Sequence, residues 1–249
     1  EIVYLIPTPI GNMEDMTFRA INILKSVDVI FSEDTRVSQQ LLHYFDIKNK
    51  LIHMDDHNED NVKNVVLEYL SDGMNVGIVT DRGTPIISDP GYKTVKFLKE
   101  KGYNVIALPG ACAFVPALIA SGISSEHFTF YGFLSSKEKK MYDELNMLKD
   151  SEYTLVFYEA PHRILKTLDN IKTILGNRQV SISREISKKF EEVYRGTIED
   201  VIKELTEIKG ELVIVVDGNH EEKTYDNLTI IEHVNLYIKE GYKTMDAIK

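Results

Sequence analysis

The stretch Val79–Gly91, VTDRGTPIISDPG, decides how the chain is read. It ends the apolar run Asn75–Val79 with two Gly, two Pro and two Asp inside thirteen residues. Beyond it, Tyr92–Lys101 has a helical pattern that stops at Gly102. A strand that ends in a loop of rigid and permissive residues and passes into a helix reads as a strand–loop–helix unit. The same grammar recurs on both sides. Val3–Ile6, Val27–Phe31 and Asn104–Leu108 are further β-branched runs bounded by turn residues. In Asn61–Leu70 the apolar positions Val62, Val65, Val66, Tyr69 and Leu70 share one helical face. Near-continuous apolar strands alternating with helices predict a mainly parallel sheet covered on both faces.

The second half changes character. Phe128–Phe133, Thr154–Tyr158, Val180–Ile186, Glu192–Arg195 and Leu212–Val216 read as strands, and Lys137–Lys149, His162–Leu175 and Ile198–Glu207 as helices. Two consecutive strands around Lys188–Phe190 form a hairpin, so this half is expected to hold a mixed sheet. Thr197 with Asp200 matches a helix-start signal. These patterns divide the chain into an N-terminal α/β domain (1–115), a C-terminal α/β domain (116–218), and a polar linker with a helical tail (219–249), the tail helix running from Ile230 to Glu240.

The 249 residues include a single cysteine, Cys112, and carry a net charge of −10. One cysteine rules out an intramolecular disulfide framework and suits a reducing cytoplasm. No apolar run approaches the roughly 18 residues of a membrane span, and EIVYLIPTPIG has no charged n-region or cleavage site. The acidic balance argues against a protein that wraps bare nucleic acid, while leaving room for a local basic patch. There is no GxGxxG after the first strand, no GxxxxGK[ST], no GxSxG and no HExxH, so dinucleotide, P-loop, hydrolase-elbow and zincin readings lack their fingerprints. HMDDHNED at His53–Asp60 resembles a metal site, but reads better as a solvated acidic turn capping the next helix. No metal is expected.

What remains are loops at strand ends: PTPIGN, EDTR, TDRGTPIISDPG and PGACA. In a parallel sheet the carboxyl ends of the strands share one edge, where ligands bind. Pro and Gly there let backbone groups approach a ligand closely, which suits an adenosine-like molecule.

These residues carry a resemblance. LIPTPIGNMEDMT (5–17), SEDTR (32–36), DHN (56–58), GTPIISDPG (83–91), LPGACA (108–113), FYEAPHR (157–163) and SREISK (183–188) follow the order found in the ribosomal small-subunit RNA 2′-O-ribose methyltransferases of the tetrapyrrole methylase superfamily. The resemblance covers about residues 1–218. It implies the two-domain tetrapyrrole methylase-like fold, S-adenosylmethionine as cofactor, a homodimer, and methylation of a cytidine ribose in 16S rRNA. The tail resembles the start of a small helical extension carried by some members. Two positions depart from the family pattern: Arg82 where Ala is usual, and Ala111 where Pro is frequent. Arg82 is expected at the crevice mouth or pointing to solvent.

Carried over residue by residue, the resemblance places Ile10, Asp81, Thr84, Cys112, Ala113, Tyr158, Arg184 and Leu212 at the cofactor. Methyl transfer to a hydroxyl is an in-line displacement that depends on positioning, and a base adds to it. Asp34, His162 and Glu185 are candidates for that base; Asp34 also fits a helix cap, and Glu185 a pair with Arg184 or Lys188. Arg36, Arg163, Lys188 and Lys189 are candidates for RNA contacts. The alternatives are a superfamily methyltransferase acting on a tetrapyrrole or diphthamide, and a non-catalytic RNA- or adenosine-binding protein.

Overall fold

The computed structural model describes residues 1–205, 208–220, 229–239, 241 and 243–247. The described residues of Glu1–Gly218 form one compact unit and those of Asn219–Lys249 a second. The larger unit begins with β1 (Ile2–Leu5), α1 (Phe18–Ser26), β2 (Val29–Ser32), α2 (Thr35–Tyr44), β3 (Leu51–His53), α3 (Glu59–Ser71), β4 (Val76–Val79), α4 (Tyr92–Glu100), β5 (Asn104–Ala107) and α5 (Phe114–Ala120). The five strands pair in the order β3-β2-β4-β1-β5, all parallel.

The central strands explain why the sheet is apolar throughout. Every residue of β2 (VIFS) and β4 (VGIV) is buried, because side chains alternate between two covered faces. Val29, Phe31, Val76 and Ile78 pack with Val62, Val66 and Leu70 of α3 and Leu98 of α4. Ile30 on the opposite face packs with Ala20 and Leu24 of α1 and Leu42 of α2.

The chain continues with β6 (Phe128–Phe133), α6 (Glu138–Leu148), β7 (Thr154–Glu159), α7 (Ile164–Leu175), β8 (Gln179–Arg184), β9 (Glu192–Thr197), α8 (Ile198–Glu204) and β10 (Leu212–Val216). This sheet runs β6-β7-β10-β8-β9; β6 and β7 are parallel and the other pairs antiparallel. Residues of α6, α7 and α8 join one buried cluster on it; Ala117 and Leu118 of α5 pack with Val156, Val213 and Val215 on its other face. A register shift between Phe130 and Gly132 puts a bulge in β6. The expected parallel and mixed sheets are both present.

Several boundaries differ from expectation. Val27 caps the end of α1, and the second strand starts only at Val29. β8 stops at Arg184, because Glu185 turns to a φ of 53°. The acidic turn is preceded by an unforeseen strand, β3, and α1 and α5 were not foreseen either. Within the turn, Asp55 Oδ1 accepts the N–H groups of His57 and Asn58, both at 2.9 Å. Helix α8 is capped by Leu205, and Thr206 and Glu207 lie outside the described residues. In the smaller unit, α9 spans Ile230–Lys239 and α10 Thr244–Ala247; Glu240 and most of the expected linker (221–228) lie outside the described residues.

Candidate functional site

The four loops at the carboxyl edge of the first sheet are tied to one another. The Thr8 N–H donates to the Gly83 carbonyl at 2.9 Å, and the Gly83 N–H returns a bond to Thr8 at 3.0 Å. The Thr8 hydroxyl donates to the Thr80 carbonyl (3.1 Å). The Asp34 N–H donates to Asp81 Oδ1 (2.9 Å), joining the loop after β2 to the loop after β4. The Thr84 hydroxyl donates to the Ala111 carbonyl (2.9 Å), joining the latter to the loop after β5. Glycine is needed at these contacts: a Cβ on Gly110 would lie 2.5 Å from Cβ of Pro7, and one on Gly83 3.3 Å from Ile10 Cγ2. The close approach here is between loop and loop, whereas Pro and Gly were expected to bring backbone against a ligand.

Opposite this edge stand residues of the second sheet: Phe133 of β6, Tyr158 and Glu159 of β7, and Leu212 and Val213 of β10. Between the two sheets lies a cavity of about 520 Å³, within the usual range for a small-molecule site. Its walls are mixed. Ile10, Ala113 and Leu212 are apolar, whereas Glu33, Asp81 and Asp89 form an acidic side. Glu33 Oε2 accepts the Thr80 hydroxyl at 3.0 Å. Burial, and next the charge of Glu33, push the Asp89 carboxyl up to about 7 against the opposing effect of the Thr80 hydroxyl. Burial likewise raises the Tyr158 phenol, which stays protonated at any physiological pH. At the rim Arg82 pairs with Glu211, whose second oxygen accepts Lys188 Nζ at 3.0 Å.

A sequence profile of the tetrapyrrole (corrin/porphyrin) methylases matches residues 2–202. The chain belongs to this family. It is 46% identical, over all of this chain and 88% of the relative's length, to Ribosomal RNA small subunit methyltransferase I of Bacillus subtilis (strain 168). With the protein of the same name from Halalkalibacterium halodurans the identity is 45%, over 99% and 88% of the two lengths. Among solved structures, uroporphyrin-III C-methyl transferase from Thermus thermophilus, complexed with S-adenyl homocysteine, superposes with a TM-score of 0.63 at 18% identity, covering 87% of this chain and 97% of that one. That likeness concerns the fold.

This member of the methylase family is a methyltransferase, and methyltransferases of the family use S-adenosylmethionine. The cavity's residues fit such a molecule: apolar side chains for an adenosine, and carboxylates for a sulfonium and an ammonium group. Of the residues the family resemblance places at the cofactor, Ile10, Asp81, Thr84, Cys112, Ala113, Tyr158 and Leu212 all line the cavity. Arg184 does not; its guanidinium bonds Glu192 Oε2 (2.9 Å) and the Lys209 carbonyl (3.3 Å).

The three candidate bases lie outside the cavity lining. Asp34 caps α2 and grips Arg36 with both oxygens, 2.6 Å to Nη2 and 3.0 Å to Nε. Those bonds to Arg36 hold its carboxyl down at about 2. Glu185 Oε1 accepts Lys188 Nζ (2.8 Å) and the Glu211 N–H (3.0 Å). Burial raises its carboxyl, but Lys188, the Glu211 N–H and Arg184 together leave it lowered. His162 is exposed ahead of α7.

Among the RNA candidates, Arg36 keeps a side chain 87% exposed despite its pair, and Lys189 is exposed beside the Phe190 ring. Arg163 is turned inward, donating to the carbonyls of Leu134 and Ser135 at 3.0 and 3.1 Å. Lys188 bridges Glu185 and Glu211. Sequence reasoning missed Glu33, Asp89, Glu159 and Glu211. Asp89 lies inside the opening stretch, and an acid between two rigid bends of a strand-end loop was the available signal.

Proposed function

We propose that the chain methylates the 2′-hydroxyl of a cytidine ribose in 16S rRNA of the small ribosomal subunit. The observation that carries this reading is the near-full-length identity to proteins named as ribosomal RNA small subunit methyltransferases. The cavity supports it, because four loops of one sheet converge on a pocket that the second sheet closes. In this reading Ile10, Asp81, Thr84, Cys112, Ala113, Tyr158 and Leu212 hold S-adenosylmethionine, and Arg184 braces the hairpin behind it. When bound, the cofactor supplies an activated methyl group. The protein's part is to fix the acceptor oxygen in line with that methyl, exclude water and receive a proton. Arg36 and Lys189, both exposed, are suited to meet RNA phosphates. Residues 1–115 and 116–218 then act as the two domains, in a homodimer working in the cytoplasm. No helix among the described residues is long and apolar enough to cross a membrane.

Incubation with methyl-labelled S-adenosylmethionine and 30S subunits lacking the modification should label one ribose of 16S rRNA. Cofactor binding without label in the rRNA would defeat the reading. Label appearing in a tetrapyrrole or in diphthamide would replace it.

A further inference from the structure

Resting on that reading, we infer that Phe190 is a stacking platform for an unpaired base of the rRNA that flanks the methylated ribose. Phe190 lies in the turn between β8 and β9 and is 67% exposed. A scattered apolar residue on a surface is ordinary. This one differs in where it stands and how it is held.

The turn borders the cavity. Ile186 lines it and packs against the cluster of Ala117, Val156 and Val213. Lys188 Nζ donates to Glu211 Oε2 (3.0 Å), and Glu211 is another lining residue. The turn also reaches the loop after β1. The Ser187 hydroxyl donates to Asp15 Oδ2, and the Lys188 stem lies over Gly11, where a Cβ would collide with it. Phe190 is therefore displayed two to three residues from contacts that span the cleft.

The backbone that carries the ring is fixed. Glu185 and Ser187 have φ values of 53° and 68°, which residues with side chains adopt at a cost and keep only where the surroundings over-determine them. The surroundings do so here. The Lys188 N–H donates to the Glu185 carbonyl (3.0 Å), the Glu191 N–H to the Lys188 carbonyl (3.1 Å) and the Ser187 N–H to Glu191 Oε2 (2.7 Å). Glu185 Oε1 accepts both Lys188 Nζ (2.8 Å) and the Glu211 N–H (3.0 Å). Within this frame Ile186 and Lys188 are half-buried, while Lys189 and Phe190 are exposed. A ring held in place beforehand loses little freedom when it binds.

The chemistry suits RNA. Phe190 joins none of the buried clusters among the described residues. Lys189 Nζ lies over its ring, 5.6 Å from the centroid. Any base can stack on an aromatic face, and a cation beside the ring can meet the adjoining phosphate. Bases inside an RNA helix are stacked on one another, so the base that fits is a single-stranded one.

The test uses the full chain, unmodified 30S subunits and methyl-labelled S-adenosylmethionine, with Phe190→Ala, Phe190→Leu and Phe190→Trp. Phe190→Ala should raise KM for the 30S subunit roughly 5- to 150-fold, the range that one base–aromatic stack carries. Its kcat, and its cofactor affinity by calorimetry, should stay near wild type. Phe190→Trp should restore the KM. Phe190→Leu, apolar but without a π-face, should resemble Phe190→Ala. A stacked base releases no counterion, so the slope of log affinity against log salt should be the same in Phe190→Ala as in wild type, whereas Lys189→Ala should flatten it by about one. The thermal midpoint and sedimentation of Phe190→Ala should match wild type, because the ring is exposed. The inference is overturned if Phe190→Ala keeps the wild-type KM, or if Phe190→Leu recovers it as fully as Phe190→Trp. A changed assembly state in Phe190→Ala would also overturn it, by placing the ring between subunits. Failure of the substrate reading is a different result: wild type itself leaves 16S rRNA unlabelled.

Discussion

At the scale of single residues, Asp34 and Arg36, two positions apart, show how one short spacing serves two ends of a site. The Asp34 backbone N–H anchors Asp81 of the cavity wall, while its carboxylate caps α2 and pairs with an exposed guanidinium. The backbone contact does not need Arg36. Arg36→Ala should therefore weaken use of the 30S substrate and leave cofactor affinity intact. In the same variant, the Asp34 carboxyl should rise from about 2 toward the ordinary range, visible in a carboxyl-carbon NMR titration. Equal losses of rRNA use and cofactor affinity would move Arg36 off the RNA side. Arg82, expected at the mouth or toward solvent, does both: its side chain is 54% exposed and it pairs with Glu211 across the cleft.

At the scale of elements, helix α4 depends on a neighbour. Its N-cap is Gly91, which has no side chain to offer, and the Thr94 N–H in its first turn donates instead to Glu59 Oε1 of α3 at 2.8 Å. Glu59 is 3% exposed. Truncating it leaves a buried donor without its acceptor, which costs about 1–3 kcal/mol. Glu59→Ala should lower the urea midpoint accordingly; an unchanged midpoint would mean that water replaces the carboxylate.

Elements with a strong period were readable from the sequence, and those whose signal depends on context were not. β2 and β4 announce themselves as apolar runs, but β3 is only Leu51–His53 and runs into acids. Helix α5 hides behind Pro116, which falls in its first turn, where a missing N–H matters little. The cavity's loop residues could be foreseen because a parallel sheet puts strand ends on one edge. The half-burial of Asp89 could not, because the facing wall of its cavity, with Tyr158, comes from β7 about seventy residues further along the chain.

At the scale of the molecule, a body with a net charge of −10 must approach a polyanion. The Arg82–Glu211–Lys188 bridge bears on how it does so. Lysines and arginines that neutralise RNA phosphates release the cations condensed on them, and that release makes RNA affinity fall steeply with salt. Arg82 already has a protein carboxylate as its counterion. If RNA takes over the guanidinium, a cation leaves the phosphate but the freed Glu211 carboxylate attracts one in its place, so the net release is small. Binding of the 30S subunit should then depend on ionic strength more weakly than the number of basic residues suggests. Glu211→Gln should steepen the plot of log affinity against log salt by about one; an unaltered slope would show that Arg82 never leaves Glu211. A cleft so arranged trades some affinity for tolerance of salt.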